Sequence, residues 1–360
     1  MTYPPFEHER IVENTPGTEN DVCLLSDLTG NGWLDVIIGG KYGDNNLCWY
    51  EAPGWQCHII GQAYLEAGGA MLDVNRNGRL DLIVGEASGD QSGRPGGGHA
   101  LYWFEQPEDP RMPWSQHVIE DGFHKYHDQA AGDVDGDGQP EILIASQFAG
   151  IVAYYDVPDD LGGKRWPYSC RHIICDTLSV EGLAIGDMNG DGVDEVIAGT
   201  NLFLPPDQPG ARWTHTRVAD FDRPAVAIAD LDGDGLLELV ASEGECFPAR
   251  LAWFDFQSGQ THLLAEDLFH PHSLAVADFT GNGVLDIFVA EMGLGQWETP
   301  RLIVYVNDGK AQFEHVIVCE GIATHNATAG DVNGNGKVDI VGKPYKPGRG
   351  VDIWWNTWGE

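Results

Sequence analysis

Basic residues are scarce in this chain. Its 20 Lys and Arg stand against 56 Asp and Glu, a formal net charge of −36 over 360 residues. A surface so acidic repels phosphate backbones and anionic headgroups, which argues against nucleic acid or a membrane surface as partner. Long apolar runs are missing too, none approaching the ~18 residues of a bilayer span. Cysteines number seven, an odd count with no CxxC, and read as reduced core thiols rather than a disulfide framework. The opening MTYPPFEHERIVEN has neither a basic nor an apolar segment, so no secretory signal is expected and the cytoplasm is the expected compartment. Serine elbow, phosphate-binding loop, dinucleotide fingerprint and HExxH are absent. No stretch has the periodicity of a long helix.

Turn residues and repetition are what the chain has. Gly 47 and Pro 20 imply many short elements, and 42% hydrophobic content supplies a sizeable core. One motif is written seven times: DLTGNGWLD from Asp27, DVNRNGRLD from Asp73, DVDGDGQPE from Asp133, DMNGDGVDE from Asp187, DLDGDGLLE from Asp230, DFTGNGVLD from Asp278 and DVNGNGKVD from Asp331. The first aspartates are 43 to 60 residues apart, a spacing that suits one four-stranded blade per repeat. An apolar segment such as HSLAVAD enters each motif and one such as DIFVA leaves it. An aromatic third strand (LCWYEAP, ALYWFEQP, RLAWFDF) and a histidine-bearing fourth (WQCHIIG, WSQHVIE, THLLAED) follow. The expected fold is all-β, a seven-bladed β-propeller forming one monomeric domain over residues 1–360. In the fourth repeat only NLFLPPDQPGAR separates Thr200 from Trp213, so its third strand should be short or missing. The last repeat stops at VDIWWN, whereas FEHERIVEN near the start has no blade of its own. That segment is expected to complete blade seven and close the ring, which removes exposed sheet edges.

Positions 1, 3, 5 and 9 of every motif carry oxygen side chains. They are Asp27, Thr29, Asn31 and Asp35; Asp73, Asn75, Asn77 and Asp81; Asp133, Asp135, Asp137 and Glu141; Asp187, Asn189, Asp191 and Glu195; Asp230, Asp232, Asp234 and Glu238; Asp278, Thr280, Asn282 and Asp286; Asp331, Asn333, Asn335 and Asp339. Glycine holds position 6 throughout, where the turn requires a free φ. Hard oxygens on a tight loop suit Ca²⁺, and no His or Cys in the loops favours zinc. An EF-hand is excluded, because Ile38 and Ile144 stand where its last glutamate would. Calcium at these sites is expected to stabilise the fold rather than regulate it. A calcium-loaded chain in the cytoplasm would have to bind the ion tightly or acquire it on folding.

The repeats and their W(Y/F)E-type third strands resemble the FG-GAP/VCBS family of calcium-binding β-propellers over nearly the whole chain. Within that group the chain is similar to carbohydrate-active propellers, namely ulvan and rhamnose–glucuronate lyases, propeller rhamnosidases and the propeller part of aldos-2-ulose dehydratase. The resemblance implies a saccharide substrate. Integrin-like adhesion propellers share the loops.

Function should lie where the repeats differ. Six residues before each first Asp stand Asp21, Ala67, His127, Glu181, Pro224, His272 and His325, with Asn20, Glu66 and Arg223 beside three of them. Equivalent positions on radial strands converge, so three imidazoles and several carboxylates should ring one funnel. His272, His325 and Asp21 come from blades six, seven and one and should face His127 and Glu181 of blades three and four. Strand-two ends add Glu86, Glu243, Glu291, Lys41, Tyr42, Gln147, Lys343 and Tyr345, and the loops 88–100 and 291–300 should wall the funnel, with Trp297 able to stack on a sugar. Any one of these residues also suits a strand-end cap. The histidines His58, His117, His172, His215, His262 and His315 recur on fourth strands and carry no expected role.

Two chemistries fit. In β-elimination, His127, His272 and His325 serve as bases or hold a divalent metal, Lys41, Arg223 and Lys343 bind a uronate carboxylate, and Tyr42 or Tyr345 acts as acid. In glycoside hydrolysis, two of Glu86, Glu181, Glu243 and Glu291 form the carboxylate pair. A lyase or dehydratase is the expected enzyme. The alternatives are a propeller glycosidase and a non-catalytic, calcium-dependent binding module, which would line the funnel with aromatics instead of acids and bases.

Overall fold

The computed structural model describes residues 5–88, 99–206, 211–294 and 299–359. Their strands form seven four-stranded antiparallel sheets, with one short 3-10 turn at Tyr168–Cys170. The innermost strands are Thr18–Ser26, Ala70–Leu72, Tyr126–Gly132, Leu183–Gly186, Ala225–Ala229, Pro271–Ala277 and Asn326–Gly330. From blade two round to blade seven and on to blade one, each touches the next. No described helix is long and apolar enough to cross a membrane.

Apolar side chains on both faces of every sheet explain the ring. Ile37 and Trp49 of blade one pack on Leu82 and Phe104 of blade two. Leu143 and Tyr154 pack on Val196 and Phe203 across blades three and four, and Val341 and Ile353 pack on Val36 and Ile38 across blades seven and one. The residues that end third strands tie blades together. Gln106 donates its side-chain amide to Leu28 O of the preceding blade, as Asn307 does to Leu231 O and Asn356 to Phe279 O.

The ring closes as expected. Phe6–Val12 pairs antiparallel with Val351–Asn356, His8 opposite Trp354. The third strand of blade four is present but short: Asn201–Leu204 is followed by Thr214–Arg217, four residues each. All seven cysteines are free, but only Cys23 and Cys48 are buried and Cys57 is exposed. The expectation of seven core thiols is corrected, because the other five lie near blade edges or in loops.

Candidate functional site

The innermost strands reach the channel through one local device used three times. Glu19, Lys125 and His270 each have a left-handed backbone (φ 49°, 58° and 48°). Two residues later the pairing slips, between Asn20 and Val22, Tyr126 and Asp128, and Pro271 and Ser273. The residues skipped are Asp21, His127 and His272. A bulge turns its extra residue out of the ladder, and all three line a cavity of about 420 Å³ at the ring centre. Beneath it lies a smaller chamber of about 190 Å³, also touched by His127, Glu181, Arg223 and His272.

On one side stands His127. Its Nδ1 lies 2.7 Å from Asp128 Oδ2, a carboxylate that also accepts Gly182 N–H at 2.8 Å. Its Nε2 lies 3.6 Å from Glu181 Oε1, which Gln147 holds by a side-chain hydrogen bond. Burial pulls the imidazole down, but the Asp128 charge outweighs it and raises His127 to about 9. Burial pushes the Glu181 carboxyl up, with His127 opposing.

Blades six and seven carry the facing pair. The His272 and His325 rings stack with centroids 4.0 Å apart, and Tyr345 lies 4.6 Å from His325. Burial, then the charge of His127, lowers His272 to about 4. Burial and the neighbouring His272 push His325 well below the ordinary range. Behind His325, Lys343 is fully buried. Its Nζ bonds to Asn20 O and lies 3.0 Å from His325 Nδ1. With the ammonium donating, Nδ1 accepts and the hydrogen of the neutral ring sits on Nε2. Burial lowers Lys343 to about 8.

Lys41 completes the ring of charge, its Nζ 2.8 Å from Asp21 Oδ2 and 3.4 Å from Glu66 Oε1. Burial opposes its charge, but these two carboxylates hold its pKa above that of an ordinary lysine.

The structure thus brings Lys41, His127, Gln147, Glu181, Arg223, His272, His325 and Tyr345 to one cavity. Lys343 sits just behind it. Four expected members are placed elsewhere. Glu86 accepts His99 N–H and Ala100 N–H. Glu243 accepts Arg250 N–H, and Glu291 those of Phe269 and Arg301. In the last two an arginine fork adds to the clamp. At this repeat position the glutamate closes the connection to strand three. Tyr42 packs its ring on Tyr64, centroids 5.5 Å apart. Trp297 lies outside the described residues, as do parts of both expected wall loops. Sequence reasoning missed Lys125, Phe148 and Glu245, which line the cavity. The one available signal was that the latter two lie one and two residues beyond Gln147 and Glu243.

A metal fits one corner of this cavity. One ligand atom each from Glu245, His272 and His325 lies within 4.8 Å of the others, and buried His272 Nδ1 has no hydrogen-bond partner among the described residues. Two imidazoles and a carboxylate form a donor set suited to zinc and other first-row divalent ions.

At the opposite face the seven loops share one internal scaffold. Position 1 accepts backbone N–H groups of its own loop, as Asp27 does from Asn31 and Gly32, and position 5 accepts that of position 7. Position 9 divides them. Asp35, Asp81, Asp286 and Asp339 are fully buried, each with both oxygens taking backbone N–H groups, Asp35 from Leu28 and Ala52. In blades three to five a glutamate takes this place, and Glu141, Glu195 and Glu238 use one oxygen for the backbone bond. Gathered carboxylates occur only here among the described residues, as Asp133, Asp135, Asp137 and Glu141, and as Asp230, Asp232 and Asp234. These groups fit a hard cation. The loops of the other four blades spend both oxygens of position 9 on backbone N–H groups and carry only Asn or Thr at positions 3 and 5.

The FG-GAP-like repeat matches residues 27–84, 73–144, 133–198, 230–289 and 278–342, most of the chain. Aldos-2-ulose dehydratase of Phanerodontia chrysosporium is 25% identical over 180 residues, 44% of this chain and only 19% of that protein. Among solved structures, rhamnogalacturonan lyase YesW (TM-score 0.54, 14% identity) and exotype rhamnogalacturonan lyase YesX (0.56, 12%) each align over 98% of this chain and 76% of theirs. Sqt1 of Saccharomyces cerevisiae has TM-score 0.56 at 10% identity, over 98% of this chain and 97% of its own. Likeness at such identity shows the propeller fold alone.

Proposed function

We propose, from the premise that this chain belongs to the FG-GAP-like repeat family, that its channel carries out β-elimination on a saccharide, with His272 accepting a proton and His127 donating one. The observation that carries this reading is the placement of the His127–Asp128 pair across the ring from the His272–His325 stack. His272 takes the proton from the carbon beside a carboxylate or carbonyl. The electron pair forms the enolate, the C–O bond one carbon further breaks, and the His127 imidazolium protonates the departing oxygen. His325 Nε2–H, its hydrogen set by Lys343, and the Lys41 ammonium stabilise the enolate oxygen. Arg223 and Lys125 meet the substrate's carboxylate.

The opposite pKa displacements of the two histidines favour one acid and one base at neutral pH. The hydrolase alternative loses three of its four candidates, since Glu86, Glu243 and Glu291 are clamped to backbone and only Glu181 lines the channel. Among the described residues the lining contains only Tyr345 and Phe148 as true aromatics, unlike a binding module. The names of the relatives, two lyases and a dehydratase, agree with elimination, although the match to the dehydratase spans a fifth of that protein. The test is ultraviolet absorbance from the new double bond on uronate-containing polysaccharides. It should rise with the native chain and not with His127→Ala or His272→Ala. New reducing ends without unsaturation would assign hydrolysis instead.

A second reading rests on the Glu245, His272 and His325 cluster. If His325 took the other tautomer, giving up the bond from Lys343 and turning an Nδ1 hydrogen toward Asp21, 3.4 Å away, these three residues would hold a divalent ion, whose Lewis acidity would polarise the substrate's carboxylate or carbonyl. His127 keeps its donor role there. Metal analysis after exhaustive dialysis separates the readings: one retained transition metal, lost in His272→Ala, supports the second. Calcium we assign to the loops of blades three, four and five.

A further inference from the structure

The wall of the channel is lowest at blade four. Strands two and three are joined there by Gly199 and Thr200 alone, whereas the corresponding connections elsewhere have four to fifteen residues. Over this gap runs a second cavity of about 620 Å³, which shares Gln147, Glu181 and Arg223 with the channel and so adjoins it. Its lining changes outward. Asn201, Arg217, Asp220 and Asp222 present amide, guanidinium and carboxylate groups, and Phe221 presents a ring. The charges are mixed, so the cleft does not select a polyanion; hydroxyl-rich surfaces satisfy such donors and acceptors. At the junction Gln147 Oε1 is buried without a partner among the described residues. Beside it Phe148 is 66% exposed, with Lys125 Nζ 5.1 Å from its ring. An aromatic face exposed at a cavity rim offers an apolar platform on which a ligand ring can stack. The apolar face of a pyranose has the size and C–H character to do so.

We infer that this cleft is a run of outer sugar subsites, so that the ligand is an oligosaccharide whose terminal unit enters the channel while the following units stack on Phe148 and leave across blade four. The inference rests on the saccharide reading of the channel and names the substrate class of that site. A free monosaccharide would fill the channel and leave the cleft unused.

The experiment is calorimetric titration of the whole chain with neutral and uronate-containing oligosaccharides of one to six sugar units. Phe148→Ala and Arg217→Ala serve as variants, and thermal melting verifies that each remains folded. The native chain should bind the longest members at least about tenfold more tightly than the single sugars. Each variant should lose about tenfold for the long members, bringing the two lengths together. Equal affinity for all lengths in the native chain, or a length preference untouched in both variants, overturns the cleft proposal while leaving the channel reading intact. Binding of no member at any length overturns the saccharide reading itself.

Discussion

Two sets of histidines in this molecule lead opposite lives. Seven stand on outer strands, one per blade. His58, His117, His172, His215 and His262 stack on third-strand aromatic rings at 3.8 to 4.9 Å. His315 lies tilted 6.1 Å from Tyr305, and His8 lies 5.3 Å from Trp354. Four of them also meet a carboxylate at 2.7 to 3.1 Å, namely His8, His58, His117 and His172. The three inner histidines have no such repeated partner. Each sits where a strand enters the channel, and each has a different neighbour: Asp128, the His325 ring, Lys343. Repetition therefore marks what holds the propeller together, and departure from it marks what the propeller presents.

The largest expected effect breaks the comparison if it fails. Alanine at His127 or His272 should lower turnover by at least about 100-fold, the range of a lost acid or base, with the melting temperature nearly unchanged in His272→Ala and lower in His127→Ala, which strips the Asp128 carboxylate of its charge partner. Equal loss of turnover in an outer variant such as His117→Ala would erase the distinction. The pH profile sharpens it further. His272 must be neutral to accept a proton, so the rate should rise as pH climbs through about 4. His127 must be charged to donate, so the rate should fall above about 9. A single descending limb near the ordinary histidine value would refute the paired assignment.

The same contrast explains what could be read in the amino-acid order. Seven motifs at blade spacing made the sheets and the closure by FEHERIVEN legible, and His8 in that segment is the seventh outer histidine. Convergence of His127, His272 and His325 was legible too, because equivalent strand positions meet at an axis. The bulges that turn Asp21, His127 and His272 inward were not, since a slip in pairing depends on the partner strand. Nor was the fate of Glu86, Glu243 and Glu291: a glutamate at a strand end looks alike whether it faces a channel or grips backbone amides. Phe148 and Glu245 lie in connections that follow no repeat. The division of the loops was present in the letters, Glu at position 9 always accompanying Asp at position 5, but only the hydrogen bonds give it meaning.

Among repeated positions that division makes an intermediate prediction. Calcium content should be about three ions per chain rather than seven, and chelation should lower the melting temperature by about 5 °C or more, since an ion bound only to the folded state adds RT ln(1 + [L]/Kd). Asp133→Ala should remove one ion. Asp27→Ala should remove none, yet still destabilise the chain by opening its loop bonds to Asn31 N–H and Gly32 N–H. Seven ions, or one lost with Asp27, would make the loops equivalent.

The smallest expected effect lies with the outer histidines themselves. His58 lies against Trp49 and Glu51, but Glu51 keeps Arg111 when the imidazole goes, at 2.5 Å. His8 is alike: Asp352 retains Arg10 Nε at 2.6 Å, and Trp354 stays buried between blades six and seven. Neither truncation leaves a buried charge unpaired, so each should cost about 1 kcal/mol from the lost ring contact and carboxylate contact. In a chain of this size that is a shift of roughly 1–3 °C, with turnover unaltered. His8 nevertheless differs in position, because its strand alone closes the ring. If closure were the weakest seam, His8→Ala would expose the Phe6–Val12 strand to proteolysis well below the melting temperature, whereas His58→Ala would not. Equal protease resistance in the two variants would show that the backbone pairing from Phe6 to Val12 suffices to hold the seam and that the outer histidines are interchangeable around the ring.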